Sequence, residues 1–242
     1  MFSNRSSNPV LSRVPEPAID APAVTYAGVS GKTGLLLILT IATALATMSR
    51  FGPETYSLMQ GLMWGGMIGG LVIALVTVFK PGLAPFTAPL YAIAEGLFIG
   101  ALSAFFELSN PGIAINAGLL TMGLFTTILV AYGTGIVRVT QRFRTFIIAA
   151  IGGIMLAYVM NIVLNFFGTE LPFLHGGGPV GLGIQVFIVV IAVLSLALDF
   201  DNVQRMVDGG ADKRYEWYLA FGLLVSLVWL YIEVLRLLAR RD

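Results

Sequence analysis

Four carboxylates and one guanidinium stand where a strongly apolar chain leaves little room for charge. Glu95 lies inside "YAIAEGLFIG", Asp199 and Asp201 follow the uncharged run 176–198 in "LDFDNV", and Glu233 precedes Arg236 in "LYIEVLRLL". A charge in hydrocarbon costs on the order of 3 kcal/mol on insertion scales, so such groups face a partner, a wet cavity or the interface. Asp201 reads most simply as the solvated end of a helix, and Glu233 as an i,i+3 pair with Arg236. Glu95 has no opposite charge within its own span, which makes it a candidate proton carrier. Glu95, Asp201 and Arg236 are thus candidates for a gate or a cation pathway. Two carboxylates in contact away from water do not readily both ionise, so they share a proton and titrate as a unit. Deprotonated, they repel each other and offer oxygens to a hard divalent cation.

Other chemistry finds no support. "YAGVSGKT" (26–33) ends like a phosphate-binding loop, but Tyr26 stands where that loop needs glycine. "HGGGP" (175–179) resembles an esterase oxyanion loop, yet no G-x-S-x-G elbow accompanies it. His175 is the one histidine and there is no cysteine, which removes histidine-based zinc sites, thiolate ligands and disulfides. The glycines beside His175 read as a turn. The expectation is a protein that is not an enzyme and carries no cofactor.

The elements that must position these residues are membrane helices. Of 242 residues, 57% are hydrophobic and 11% charged, against about 25% charged in a soluble domain. A net charge of +1 argues against nucleic acid as a partner. The expected partner is the lipid bilayer. Residues 1–31 are rich in Ser, Asn and Pro and read as a flexible polar tail. Residues 32–242 read as one helical domain. Gaps between ionisable residues place about seven spans near 33–49, 57–79, 86–106, 111–137, 145–167, 180–199 and 217–238. Gly61, Gly65 and Gly69, with Gly66 and Gly70, show small-xxx-small spacing and predict a close-packed second helix.

With the amino terminus inside, ten of the fourteen Lys and Arg fall on the inner side. That bias predicts a cytoplasmic amino terminus. Arg236, Arg240 and Arg241 then fall outside, unless the last segment is re-entrant or only six helices cross.

The chain resembles the Bax inhibitor-1 family, also called the transmembrane Bax inhibitor motif family, and in particular a bacterial branch of it. The resemblance rests on "NPVLSR" (8–13), "FKPGLAPFTAPLYAIAEGLFIGALSAFFE" (79–107), "IVRVTQRFR" (136–144), "LDFDNV" (198–203) and "EWYLAFGLLVSLVWLYIEVLRLLA" (216–239). It implies an all-α integral membrane protein with six helices around a central last one, in the inner (plasma) membrane. It also implies a pH-sensitive calcium leak controlled by a proton-sharing carboxylate pair on the last two helices. The first member of that pair falls on Asp199, in a D-x-x-x-I-like pattern ending at Val203. The second falls on Glu233, where "LYIE" replaces the family's L-Y-L-D. Calcium and protons are the implied ligands, with Asp199 and Glu233 as the calcium-binding residues. The acidic residue that some relatives carry in the second helix is absent from residues 57–79.

Axial distance stands against that pair. Glu233 lies 16 residues beyond Trp217, or about 24 Å, while Asp199 lies about 10 Å from a helix end at Met206. Two other functions remain open: a membrane regulator that binds membrane proteins such as a membrane-bound protease, and a proton-coupled transporter built on Glu95.

Overall fold

A computed structural model describes residues 22–168 and 178–240 of the chain. Seven helices in it are long and apolar enough to cross a membrane. They are α1 (Tyr26–Met48), α2 (Tyr56–Phe79), α3 (Ala84–Ser109), α4 (Ile113–Gly133), α5 (Gln141–Phe166), α6 (Pro179–Asp208) and α7 (Tyr215–Ala239). The described residues contain no strand, only an isolated antiparallel bridge between Ala23 and Asp212. Helices satisfy every backbone donor and acceptor internally, which a bilayer core demands.

Two boundaries differ from the sequence expectation by more than four residues. α1 begins at Tyr26, seven residues earlier than position 33, because the Thr25 side chain accepts a hydrogen bond from the Gly28 N–H and caps the helix. Residues 26–31 are therefore its first turns, not part of a tail, and "YAGVSGKT" is helix. The first 21 residues and the His175 glycine turn lie outside the described residues. α6 runs nine residues past Asp199 and stops at Gly209–Gly210, where Gly210 takes φ +62°. Asp199 and Asp201 are thus within the helix, not at its end.

α7 packs against α1, α3, α4 and α6. α2 rests on α3 and α5 on α6, so α2 stands one layer further out rather than against the last helix. Lipid is as apolar as leucine, so close van der Waals fit holds such helices together. The fit is tightest along α3. A Cβ on Gly66 of α2 would come 2.7 Å from the Ala94 carbonyl oxygen and 2.8 Å from the Phe98 nitrogen. On the other side of α3, a Cβ on Gly100 would come 2.5 Å from the Ala44 carbonyl oxygen of α1. Thr40 of α1 donates to Leu36 O of its own helix and to Ala92 O of α3. The expected α2 glycine motif divides by face. Gly66 and Gly70 meet α3, whereas Gly61, Gly65 and Gly69 meet nothing within 4 Å.

The α6–α7 loop, the α4–α5 loop and the start of α1 share one end of the bundle, tied by Val24 N–H to Ala211 O and by Arg144 to Asp201. α7 is a full-length helix, and Arg240 at its far end donates to Gly181 O at the start of α6. Arg236 and Arg240 therefore lie toward the end of the bundle opposite the α6–α7 loop.

Gly66→Val and Gly65→Val impose the same β-branched penalty on α2, but only the first meets backbone. Overpacking costs about 1–3 kcal/mol. Thermal unfolding in detergent is expected to show a lowered midpoint for Gly66→Val and little change for Gly65→Val.

Candidate functional site

α6 and α7 run antiparallel and face each other along a seam. Buried Gln185, Ser195 and neighbouring Asp199 are on the α6 side, and Ser226, Trp229 and Glu233 are on the α7 side. The seam holds two carboxylates in opposite circumstances.

Glu233 is 1% exposed and fully partnered. Its Oε1 accepts from the Tyr158 hydroxyl of α5 at 2.8 Å and from Trp229 Nε1–H at 3.1 Å. Its Oε2 accepts from Gln185 Nε2–H at 2.8 Å, and the same amide donates to the Glu233 carbonyl at 3.0 Å. Arg236 stands 3.6 Å away, as the i,i+3 reading expected, with its guanidinium 5.4 Å from the Tyr158 ring centroid. Three neutral donors and a cation hold this carboxylate in place.

Asp199 has far less. Its side chain faces the Ser226 hydroxyl of α7, and its Oδ2 is buried with no partner. The structure therefore sets Asp199 against Ser226, not against Glu233. Ser226 and Glu233 are seven residues apart on α7, or about 10 Å along the axis. The expected carboxylate pair, and with it a calcium site formed by Asp199 and Glu233, is not assembled. Among the described residues no group of three or more His, Cys, Asp or Glu comes together to hold a metal.

Asp201 is not a solvated helix end. Its Oδ2 accepts from Arg144 at 2.6 Å and from Arg205 at 2.7 Å, and Arg144 also reaches Asn202 Oδ1 at 3.1 Å. One face of α6 thus uses Asp201 to dock the start of α5, while the nearly opposite face carries Asp199 to α7.

Glu95 is buried on α3, beside the Tyr91 side chain one turn earlier. Its Oε1 lies against Gly70 of α2, where a Cβ would come within 2.8 Å. Among the described residues no ion pair reaches it. Glu95 shares no hydrogen bond with the seam residues; Tyr91 beside it meets Phe221 of α7 edge-on, with centroids 4.9 Å apart.

Counting charges missed the neutral donors Tyr158, Gln185 and Ser226, although Gln185 interrupts an otherwise apolar run and was visible on that ground. It also missed Glu216, wholly buried and paired with Lys32.

A profile of the family described as Bax inhibitor 1 like matches residues 5–241. The chain belongs to that family. No curated protein and no solved structure matches it.

Truncating Glu233 would strand three donors, each costing about 1–3 kcal/mol when left buried and unpaired. Glu233→Ala is expected to lower the thermal midpoint well below that of Glu233→Gln, whose amide oxygen still accepts. Equal midpoints for the two variants would show that the hydrogen bonds carry no stability.

Proposed function

We propose that this multi-pass membrane protein is a pH-sensitive cation leak, with calcium as the permeant ion, and that Asp199 is its gate. The observation that carries the reading is the buried, unpartnered Oδ2 of Asp199 in the α6–α7 seam. Membership of the Bax inhibitor 1 like family supports the same class of function.

The chemistry follows from what faces the group. Protonated, Asp199 is neutral and hydrogen-bonds with Ser226 across the seam, which closes α6 on α7. Ionised, it places a negative charge where one hydroxyl faces it, between helices whose buried core residues include Leu196, Leu223 and Leu227. Water or a cation then stabilises the charge better than the closed seam does. The seam opens, and the exposed oxygen suits a hard divalent ion. The sign is set by this argument: flux rises as pH rises through the ionisation of Asp199. Glu233, held by Tyr158, Trp229 and Gln185, anchors the far end of the seam.

The orientation belongs to the same proposal. Arg138, Arg142, Arg144, Arg205, Lys213 and Arg214 gather at the end that bears the α4–α5 and α6–α7 loops. That concentration supports a cytoplasmic location for this end and for the amino terminus in the inner membrane. The acidifying compartment that closes the leak is then the one in contact with the α6–α7 loop.

A second reading, a regulator that binds other membrane proteins, is favoured by Gly61, Gly65 and Gly69, which form an open small-residue face on α2.

Calcium flux into liposomes between pH 6 and 8 tests the gate. Flux is expected to rise several-fold with pH in the wild type, to stay at its low-pH level in Asp199→Asn, and to keep its pH dependence in Glu233→Gln. A wild-type rise preserved in Asp199→Asn removes Asp199 from the gate. Folded protein without flux at any pH moves the assignment to the regulator.

A further inference from the structure

Glu216 is a fully occluded charge that the proposed gate leaves unused. It sits in the first turn of α7 with 0% exposure. One oxygen accepts from both the backbone N–H and the hydroxyl of Thr25, each at 3.0 Å. The other is ion-paired with the Lys32 ammonium, which also lies 5.6 Å from the Trp217 ring centroid. The carboxylate occupies the space above Gly28, where any Cβ would overlap it.

Residues 22–25 form a strap across the α6–α7 loop at the same place. Val24 N–H donates to Ala211 O and Lys213 N–H donates to Pro22 O, both at 2.8 Å, and the Val24 side chain is 2% exposed. The loop is otherwise braced from within by Arg214, whose N–H and Nε–H both donate to Asp212 at 2.9 Å. These bonds hold Asp212 below the usual carboxylate range, and the loop keeps its shape across neutral pH.

The geometry points to Glu216 as a positioning residue: its clasp on Thr25, Gly28 and Lys32 of α1 fixes the height of α7, and thereby seats Ser226 opposite Asp199. Ser226 lies ten residues along the same helix, about 15 Å from the clasp. A rigid helix transmits a shift at its first turn to that level, and Glu233 holds only the far end. Releasing the clasp lets α7 pivot about its Glu233 anchor, which moves Ser226 relative to Asp199. The inference rests on Asp199 as the gate, and its test therefore avoids flux as a readout.

The chain has no cysteine, so Val24→Cys provides a clean reporter of the clasp. In nanodiscs, labelling by a membrane-impermeant maleimide reads whether the strap is docked, because reaction needs an accessible thiolate. Modification of Asp199 by a hydrophobic carbodiimide, read by peptide mass, reports its seating against Ser226. In the Gly28→Ala background Val24→Cys labelling is expected to accelerate about tenfold and Asp199 modification to change about threefold, since both sites lose protection together. Adding Glu216→Asp shortens the arm by one methylene, makes room for the Cβ, and is expected to restore both toward the original rates. Lys32→Met serves as the second lesion should Gly28→Ala not fold; it removes the ion pair but leaves the Thr25 donors. Lost Val24→Cys protection with Asp199 modification unchanged overturns the positioning role. Fast labelling of Val24→Cys in the otherwise unaltered chain overturns the clasp itself. Neither result bears on whether the protein conducts, which the liposome flux decides separately.

Discussion

Inside a bilayer there is no water to complete a hydrogen bond, so each carboxylate must find its partners within the protein or stay protonated. The helix packing of this chain is organised around how its carboxylates meet that demand. Glu216 recruits α1, through Thr25, Gly28 and Lys32, to the near end of α7. Glu233 recruits α5 and α6, through Tyr158 and Gln185, to the far end. Asp201 recruits Arg144 and ties α5 to α6. In each case the polar bonds determine which helices meet and at what height. The apolar side chains between them fill space without specifying register, because their lipid-facing alternatives are equally apolar.

A complementary role falls to glycine along α3. Where polar bonds are scarce, close backbone approach does the joining. Gly66 admits α3 to α2, and Gly96 and Gly100 admit α1 to α3, with the Cβ positions already occupied by neighbouring backbone or side-chain atoms. This makes α1, α2 and α3 a tightly fitted unit held by shape. The α5–α6–α7 group is held by polar contacts instead. Contacts of that kind can be switched by a proton, whereas close-packed glycine interfaces cannot.

The fold class and the helix count were legible from charge spacing, because apolar runs of this length have no stable alternative in water. Helix ends were less so. α1 starts early because of Thr25 and Glu216, a contact across 191 positions that no local pattern contains. α6 runs through Asp199 and Asp201 because Arg144 and Arg205 neutralise the second of them. The site was legible on one side only. Asp199 was identified, yet its partner was assigned to Glu233 rather than Ser226. Those two residues are seven apart and lie within about 20° of the same helix face. Facial pattern therefore cannot separate them. Only axial offset does, and that offset is fixed by the clasps at the two ends of α7, both of which involve neutral donors or distant residues.

That offset explains why Asp199 is the exception. Glu216 and Glu233 sit at the ends of α7, where neighbouring helices can bring donors to them. Asp199 meets α7 between these two fixed points, ten residues from one and seven from the other. There the helix presents Ser226 within a run of leucine and valine. A second full set of donors at that level would lock the seam in one state. A single hydroxyl leaves the closed arrangement dependent on the proton that Asp199 carries. Local satisfaction and global packing agree almost everywhere along α6 and α7, and such agreement tends to fail where function requires two states. Among the described residues of α6 and α7 the unpaired oxygen is where packing and local satisfaction part, and the strength of the clasps on either side is what allows the departure to persist in a folded protein.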